Sequence, residues 1–244
     1  MTLPNQEVMD LLSERFVIGW QNIERQTHVG ISHGYKCDQT AVGTTNGAGG
    51  RNVQLVVMAT DETVVHVLPG FWNAEDLLSE LRLALDLHDL YRSEEHSAAQ
   101  KQVMFSTLHR SFLRKLTPEA IGRSRWQDFD QWEESNRGKA GVRDTFALND
   151  LGQPMVEANG RVVLKPVVQV VHERLLQRPW KKLTDFGMES FVDYGRAFYD
   201  NNAWVDKGRN FPQAVKANEL REKALAKDRL LAEKAAKAAQ KRKN

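Results

Sequence analysis

Hydrophobic and polar positions change rhythm several times along the first ninety residues, and each change marks an element. Over residues 7–15, Val8, Leu11 and Leu12 share one side at helical spacing while Asp10, Glu14 and Arg15 lie outside it, which predicts a short helix. Residues 16–23 (Phe-Val-Ile-Gly-Trp-Gln-Asn-Ile) are β-branched and aromatic and too few for another helix, so a buried strand is expected. No periodicity survives across residues 24–52, a glycine-rich stretch long enough to be functional or disordered. Residues 53–59 and 63–68 then read as two buried strands around the turn Thr60-Asp61-Glu62, a hairpin. Pro69-Gly70-Phe71-Trp72 ends the second strand. Asn73 is a suitable N-cap, and Asp76 suits the positive end of the helix dipole. Leu77, Leu78, Leu81, Leu85 and Leu87 carry that helix to about residue 91.

Beyond Ser93 the composition shifts. Residues 97–116 predict a helix with Met104, Leu108 and Phe112 on one stripe. Thr117 and Pro118 supply the N-cap and first-turn proline of another, bearing Trp126, Phe129 and Trp132. A loop is expected at 136–141, short strands joined by turns at 142–164, a helix from Pro166 to about 177, and a last one over 186–199 with Phe191, Tyr194 and Phe198 inward. From Gln213 onward Ala, Lys, Arg, Glu and Leu dominate, with Glu219/Lys223 and Glu233/Lys237 as i,i+4 pairs, so a helical tail is expected. The organisation predicted is a first α/β domain over 1–92, a mainly helical second region with a small β element over 93–212, and a basic helical tail over 213–244.

The chain has 244 residues, 41% hydrophobic and 27% charged, enough apolar content for a core and unlike a collagenous or wholly disordered chain. Its formal charge of +2 conceals an asymmetry: residues 213–244 carry +6 and residues 1–212 carry −4. The body therefore lacks the basic stripe that tracks a phosphate backbone, and no nucleic-acid partner is expected. No run of about 18 apolar residues exists for a membrane span, and the tail has no Trp or Phe to anchor it on a membrane surface. A single cysteine makes no intramolecular disulfide, and Met1-Thr2-Leu3-Pro4 has no leader pattern, so a reducing, cytoplasmic setting is favoured for the chain as it stands.

The order of elements, on Glu7-Val8, Leu12 and Arg15-Phe16-Val17, then Asn52-Val53-Gln54-Leu55-Val56-Val57-Met58, Asp61 and Val64-Val65-His66-Val67-Leu68-Pro69-Gly70-Phe71-Trp72, resembles the C-terminal three-quarters of a thioredoxin-like domain. The resemblance covers residues 4 to about 91. It implies a thioredoxin-like fold there and, by family habit, thiol chemistry or a sheet that serves as a binding platform. The family's Cys-x-x-Cys, which would precede the helix at Glu7, is missing, and Arg51 and Asn52 stand where the family has its cis-proline. The abrupt opening leaves room for an upstream piece bearing that first strand and motif.

Cys37 is the sharpest chemical candidate. His33 and Lys36 are cations able to favour its thiolate, and residues 47–52 supply glycines and amides to shape a pocket around it, while Asp38 acts in the opposite sense. Such a monothiol would react with peroxide or with a small-molecule or protein disulfide, and needs no cofactor. Packed as a small hydrophobe, Cys37 would instead be inert. His28, His33 and Cys37 are ligand types for zinc or copper but have no recognised spacing. The glycine run 44–52 precedes a strand, the wrong order for a phosphate loop. His66, His88, His109 and His172 are isolated in the sequence and are expected to be ordinary surface or capped histidines, and Asp128, Asp130, Glu133 and Glu134 to face solvent. Two functions result: single-cysteine thiol redox activity at Cys37 with His33 and Lys36, or a non-catalytic scaffold that binds a protein through its second region or basic tail.

Overall fold

Asn5 accepts a hydrogen bond from the Val8 amide at 3.2 Å and so starts α1 (Gln6–Arg15). The computed structural model describes residues 2–26, 28–32 and 44–199. After α1 come β1 (Ile31–Ser32), β2 (Gln54–Met58), β3 (Val64–Pro69), α2 (Ala74–Arg92), α3 (Ala98–Arg114), α4 (Pro118–Arg123), α5 (Asp128–Lys139), α6 (Val167–Leu176), a 3-10 turn (Leu183–Asp185), α7 (Met188–Phe191) and β4 (Phe198–Tyr199). The architecture mixes helix and strand. The described strands form two separate pairs, β1 parallel to β4 and β2 antiparallel to β3.

The hairpin forms where alternation predicts it. Leu55 faces Leu68, Val56 faces Val67 and Val57 faces His66, with a bulge between Val57 and Met58. Every residue of β3 is buried, as a strand covered on both faces must be. α2 and α6 pack against β3, α3 packs on α2 and α6, and α1 leans on α2. α2 buries Leu77, Leu78, Leu81, Ala84 and Leu87 on one side, with Glu75 and Asp76 in its first turn. A capping box of Ser97 and Gln100 starts α3, and α6 buries Val167, Val168, Val170, Val171 and Leu175. One core cluster joins Val8, Val67, Leu68 and Leu81 to Phe105, Val171, Leu175, Phe186 and Phe191. Side chains from both sides of residue 92, where the composition shifts, thus share one interior.

Three sequence expectations are corrected. Residues 16–23 form no buried strand: Val17 is 104% exposed, Ile18 67% and Trp20 91%. Residues 181–183 bond to the hairpin beside its turn, through Val64 N to Lys181 O (2.8 Å) and Leu183 N to Glu62 O (3.0 Å). The helix expected after Thr117 is two helices, α4 and α5. Between them Ser124 is held from outside, its carbonyl accepting from Val167 N at 2.8 Å and its hydroxyl from Asn46 Nδ2 at 3.1 Å. α5 then runs through Gly138, against which the Phe146 ring packs, rather than ending near residue 136. Finally, residues 186–199 contain only one turn of α-helix, α7, because Gly187 at φ +71° and Gly195 at φ +62° interrupt any longer one. Turns and bridges over 142–164 match the expectation, pairing Phe146 with Leu164, Leu148 with Pro154 and Val156 with Val162.

Candidate functional site

His33, Lys36 and Cys37 lie outside the described residues, as does the basic tail. Both flanks of the Cys37 segment are described and both are tied down. Upstream, Gly30 N donates to Arg51 O at 3.2 Å and β1 pairs with β4. Downstream, Asn46 is buried at the start of α2. Its Oδ1 accepts from Asn73 N and Asn73 Nδ2 at 2.8 and 2.9 Å, and its Nδ2 donates to Asp76 Oδ2 at 2.7 Å. Arg123 grips the same Asp76 with two hydrogen bonds of 2.7 Å. Of the residues expected to shape a Cys37 pocket, Arg51 pairs with Asp193 at 2.6 Å. Burial and the neighbouring Arg137 lower its pKa, and Asp193 works against them.

Among the described residues, a buried gathering of chemistry-bearing groups lies elsewhere, in the core. β3 contributes His66, α2 contributes Glu80, α3 contributes His109 and α6 contributes His172, each no more than 1% exposed. Helical spacing explains why they meet. Glu80 lies three residues from Leu77 and four from Ala84, His109 four from Phe105, and His172 four from Val168 and three from Leu175, all inward-facing. His66 Nε2 lies 2.8 Å from Glu80 Oε2, and His172 Nε2 lies 3.1 and 3.2 Å from Glu80 Oε1 and Oε2. His109 Nδ1 and His172 Nδ1 are 2.9 Å apart. The Phe112 ring stacks on His172 at 4.9 Å, and Phe105 meets His109 edge-on at 4.4 Å.

An ionised carboxylate only accepts, so both Nε2 atoms donate to Glu80. His66 Nδ1 and His109 Nε2 are buried without a hydrogen-bond partner. Burial pushes the Glu80 carboxyl up, but His172 and His66 outweigh it and hold the pKa at about 2. Burial pushes His66 down, against the pull of Glu80, and pushes His109 down with help from the other two imidazoles. The expectation that His66, His109 and His172 are unconnected surface or capped groups is therefore corrected. His88 remains partly exposed beside Asp89. The signal available in the sequence was a single polar residue inside the apolar run Val64-Val65-His66-Val67-Leu68.

Asp130 and Glu134 also lie inside rather than in solvent. Glu134 accepts from Thr145 Oγ1 at 2.8 Å and Gly195 N at 2.7 Å, and faces Arg137 at 3.3 Å. Asp130 Oδ1 accepts from Arg196 N at 2.8 Å. Burial raises the Glu134 pKa, and Arg137 and Thr145 oppose it. Trp132 points outward, 66% exposed. These acids hold the segment around residues 193–196 and are not arranged as an acid–base pair across a cleft. Among the described residues no helix is long and apolar enough to cross a membrane. Comparison with protein-family models, curated proteins and solved structures yields no match.

Proposed function

We propose that the chain is a thioredoxin-like scaffold that works by binding another protein. The supporting observation is an inversion of the usual arrangement. The clustered imidazoles and their carboxylate face the interior, whereas Val17, Ile18 and Trp20 stand exposed in a short extended segment after α1. Adjacent large apolar side chains held in water are a common mark of an interaction surface. Replacing Val17, Ile18 and Trp20 together by Asp is expected to leave the urea unfolding midpoint unchanged, within about 0.5 kcal/mol. The same change should abolish recovery of a specific protein with the tagged full chain from its own cells. A large fall in stability, or an unchanged set of bound proteins, would overturn the proposal.

A second reading is a monothiol activity at Cys37, supported by the neighbouring His33 and Lys36 and by the anchoring of both flanks of the segment. The Cys37 thiolate would attack one sulfur of a disulfide, forming a mixed disulfide and releasing the other sulfur as thiolate; a second thiol would then displace Cys37. Alkylation rate against pH checks it. An apparent pKa well below the free-thiol value of ~8.5 supports the redox reading, and one at or above that value leaves the scaffold alone.

A further inference from the structure

We infer that His66, Glu80 and His172 form a binding site for a zinc-type divalent cation that clamps β3, α2 and α6 together. This goes beyond the scaffold reading and stands or falls without it. Two imidazole nitrogens and a carboxylate oxygen are borderline donors suited to zinc, and one ligand atom from each of the three residues lies within 4.8 Å of the others. Metal–ligand bonds of about 2.1 Å in tetrahedral geometry place neighbouring donor atoms about 3.4 Å apart. The two Nε2 atoms stand 2.8 to 3.2 Å from the Glu80 oxygens, so each His–Glu80 pair needs to open by only a few tenths of an ångström to share a cation.

Three further observations agree. The donors come from one strand and two helices of a single core, positions fixed before any ligand arrives. His109 touches His172 through the nitrogen opposite the proposed ligand atom, the place from which a neighbour orients a metal-bound imidazole. Hydrogen bonding within the chain does not complete the cluster, since His66 Nδ1 and His109 Nε2 have no partner. On binding, the cation would take the place of the two Nε2 protons: a neutral ring shifts its proton to Nδ1, a doubly protonated ring releases its Nε2 proton to solvent, and Glu80 would stay ionised. His109 is a positioning residue in this scheme and touches no metal.

The test uses the purified full chain, stripped with a chelator and titrated separately with Zn2+ and Co2+. One equivalent of Zn2+ is expected, with a Co2+ complex showing the visible bands of four-coordinate N/O ligation and no thiolate charge-transfer band. The imidazole 15N signals of His66 and His172 should move on Zn2+ binding. Glu80→Gln should weaken Zn2+ at least tenfold, and Cys37→Ser and His28→Ala should leave the affinity unchanged. No stoichiometric uptake, a thiolate band, loss of binding in Cys37→Ser, or full affinity in a folded Glu80→Gln would each overturn the site. If Glu80→Gln does not fold, the Co2+ spectrum and the two 15N shifts of the unsubstituted chain decide.

Discussion

Truncating Glu80 to alanine is expected to destabilise the metal-free fold by about 3–5 kcal/mol, the range typical of removing one partner from a buried ionic cluster. The loss has two sources. His66 Nε2 and His172 Nε2 each surrender their only acceptor, and both rings are fully buried, so neither donor can turn to water. The shortened side chain also leaves a void where it met His66 and His172. Urea denaturation of the two proteins at one pH measures the difference through the midpoint at constant slope. Glu80→Gln should cost less, because an amide oxygen still accepts from one imidazole. A Glu80→Ala protein within 1 kcal/mol of the parent would show that the cluster contributes little to stability.

Gly70→Ala is the second large effect. Gly70 ends β3 at φ +81°, a backbone region that disfavours a side chain. A Cβ placed there would come within 2.5 Å of Ala48 O and of the Gly47 carbonyl carbon and oxygen. Those are backbone atoms held in place, since Phe71 N donates to Ala48 O at 2.8 Å and Gly47 N donates to Phe71 O at 2.6 Å. Relief requires breaking this crossing, which binds the stretch after the Cys37 segment to the end of the hairpin. A cost of about 3 kcal/mol is expected, read as a fall of roughly 10 °C in Tm for a chain of this size. Gly122→Ala supplies the contrast: a Cβ on Gly122 meets nothing within 4 Å, and Tm should hold or rise slightly. Equal Tm values for the two variants would contradict this account.

Elements set by local rules were legible in the amino-acid order. Asn5, Asn73, Ser97 and Thr117 stand at the starts of helices, and the apolar runs flanking Asp61 form the hairpin, because capping and strand alternation act over a few residues. Burial was less legible. Phe16 to Trp20 has the composition of a strand, yet whether a strand finds a partner depends on what else reaches the sheet, and residues 181–183 do. The histidine cluster was invisible for a related reason. His66, His109 and His172 come from three elements whose packing no local pattern encodes, and each alone looks like an isolated polar residue. The burial of Asp130 and Glu134 depends likewise on residues 193–196 returning to α5. The candidate thiol was singled out by its residue type and its sequence neighbours His33 and Lys36, and it lies outside the described residues.

The parallel pairing of β1 with β4 sets Ser32 beside Tyr199. Cys37 follows Ser32 by five residues, a tether of no more than roughly 18 Å, and the lysine-rich stretch that starts at Gln213 is linked to Tyr199 by no more than roughly 50 Å of chain. A partner that engaged both stretches would therefore meet the second as an intramolecular neighbour, at an effective concentration that can reach the millimolar range. Avidity between two individually weak grips would then come from the connectivity of the chain, with no further contact required.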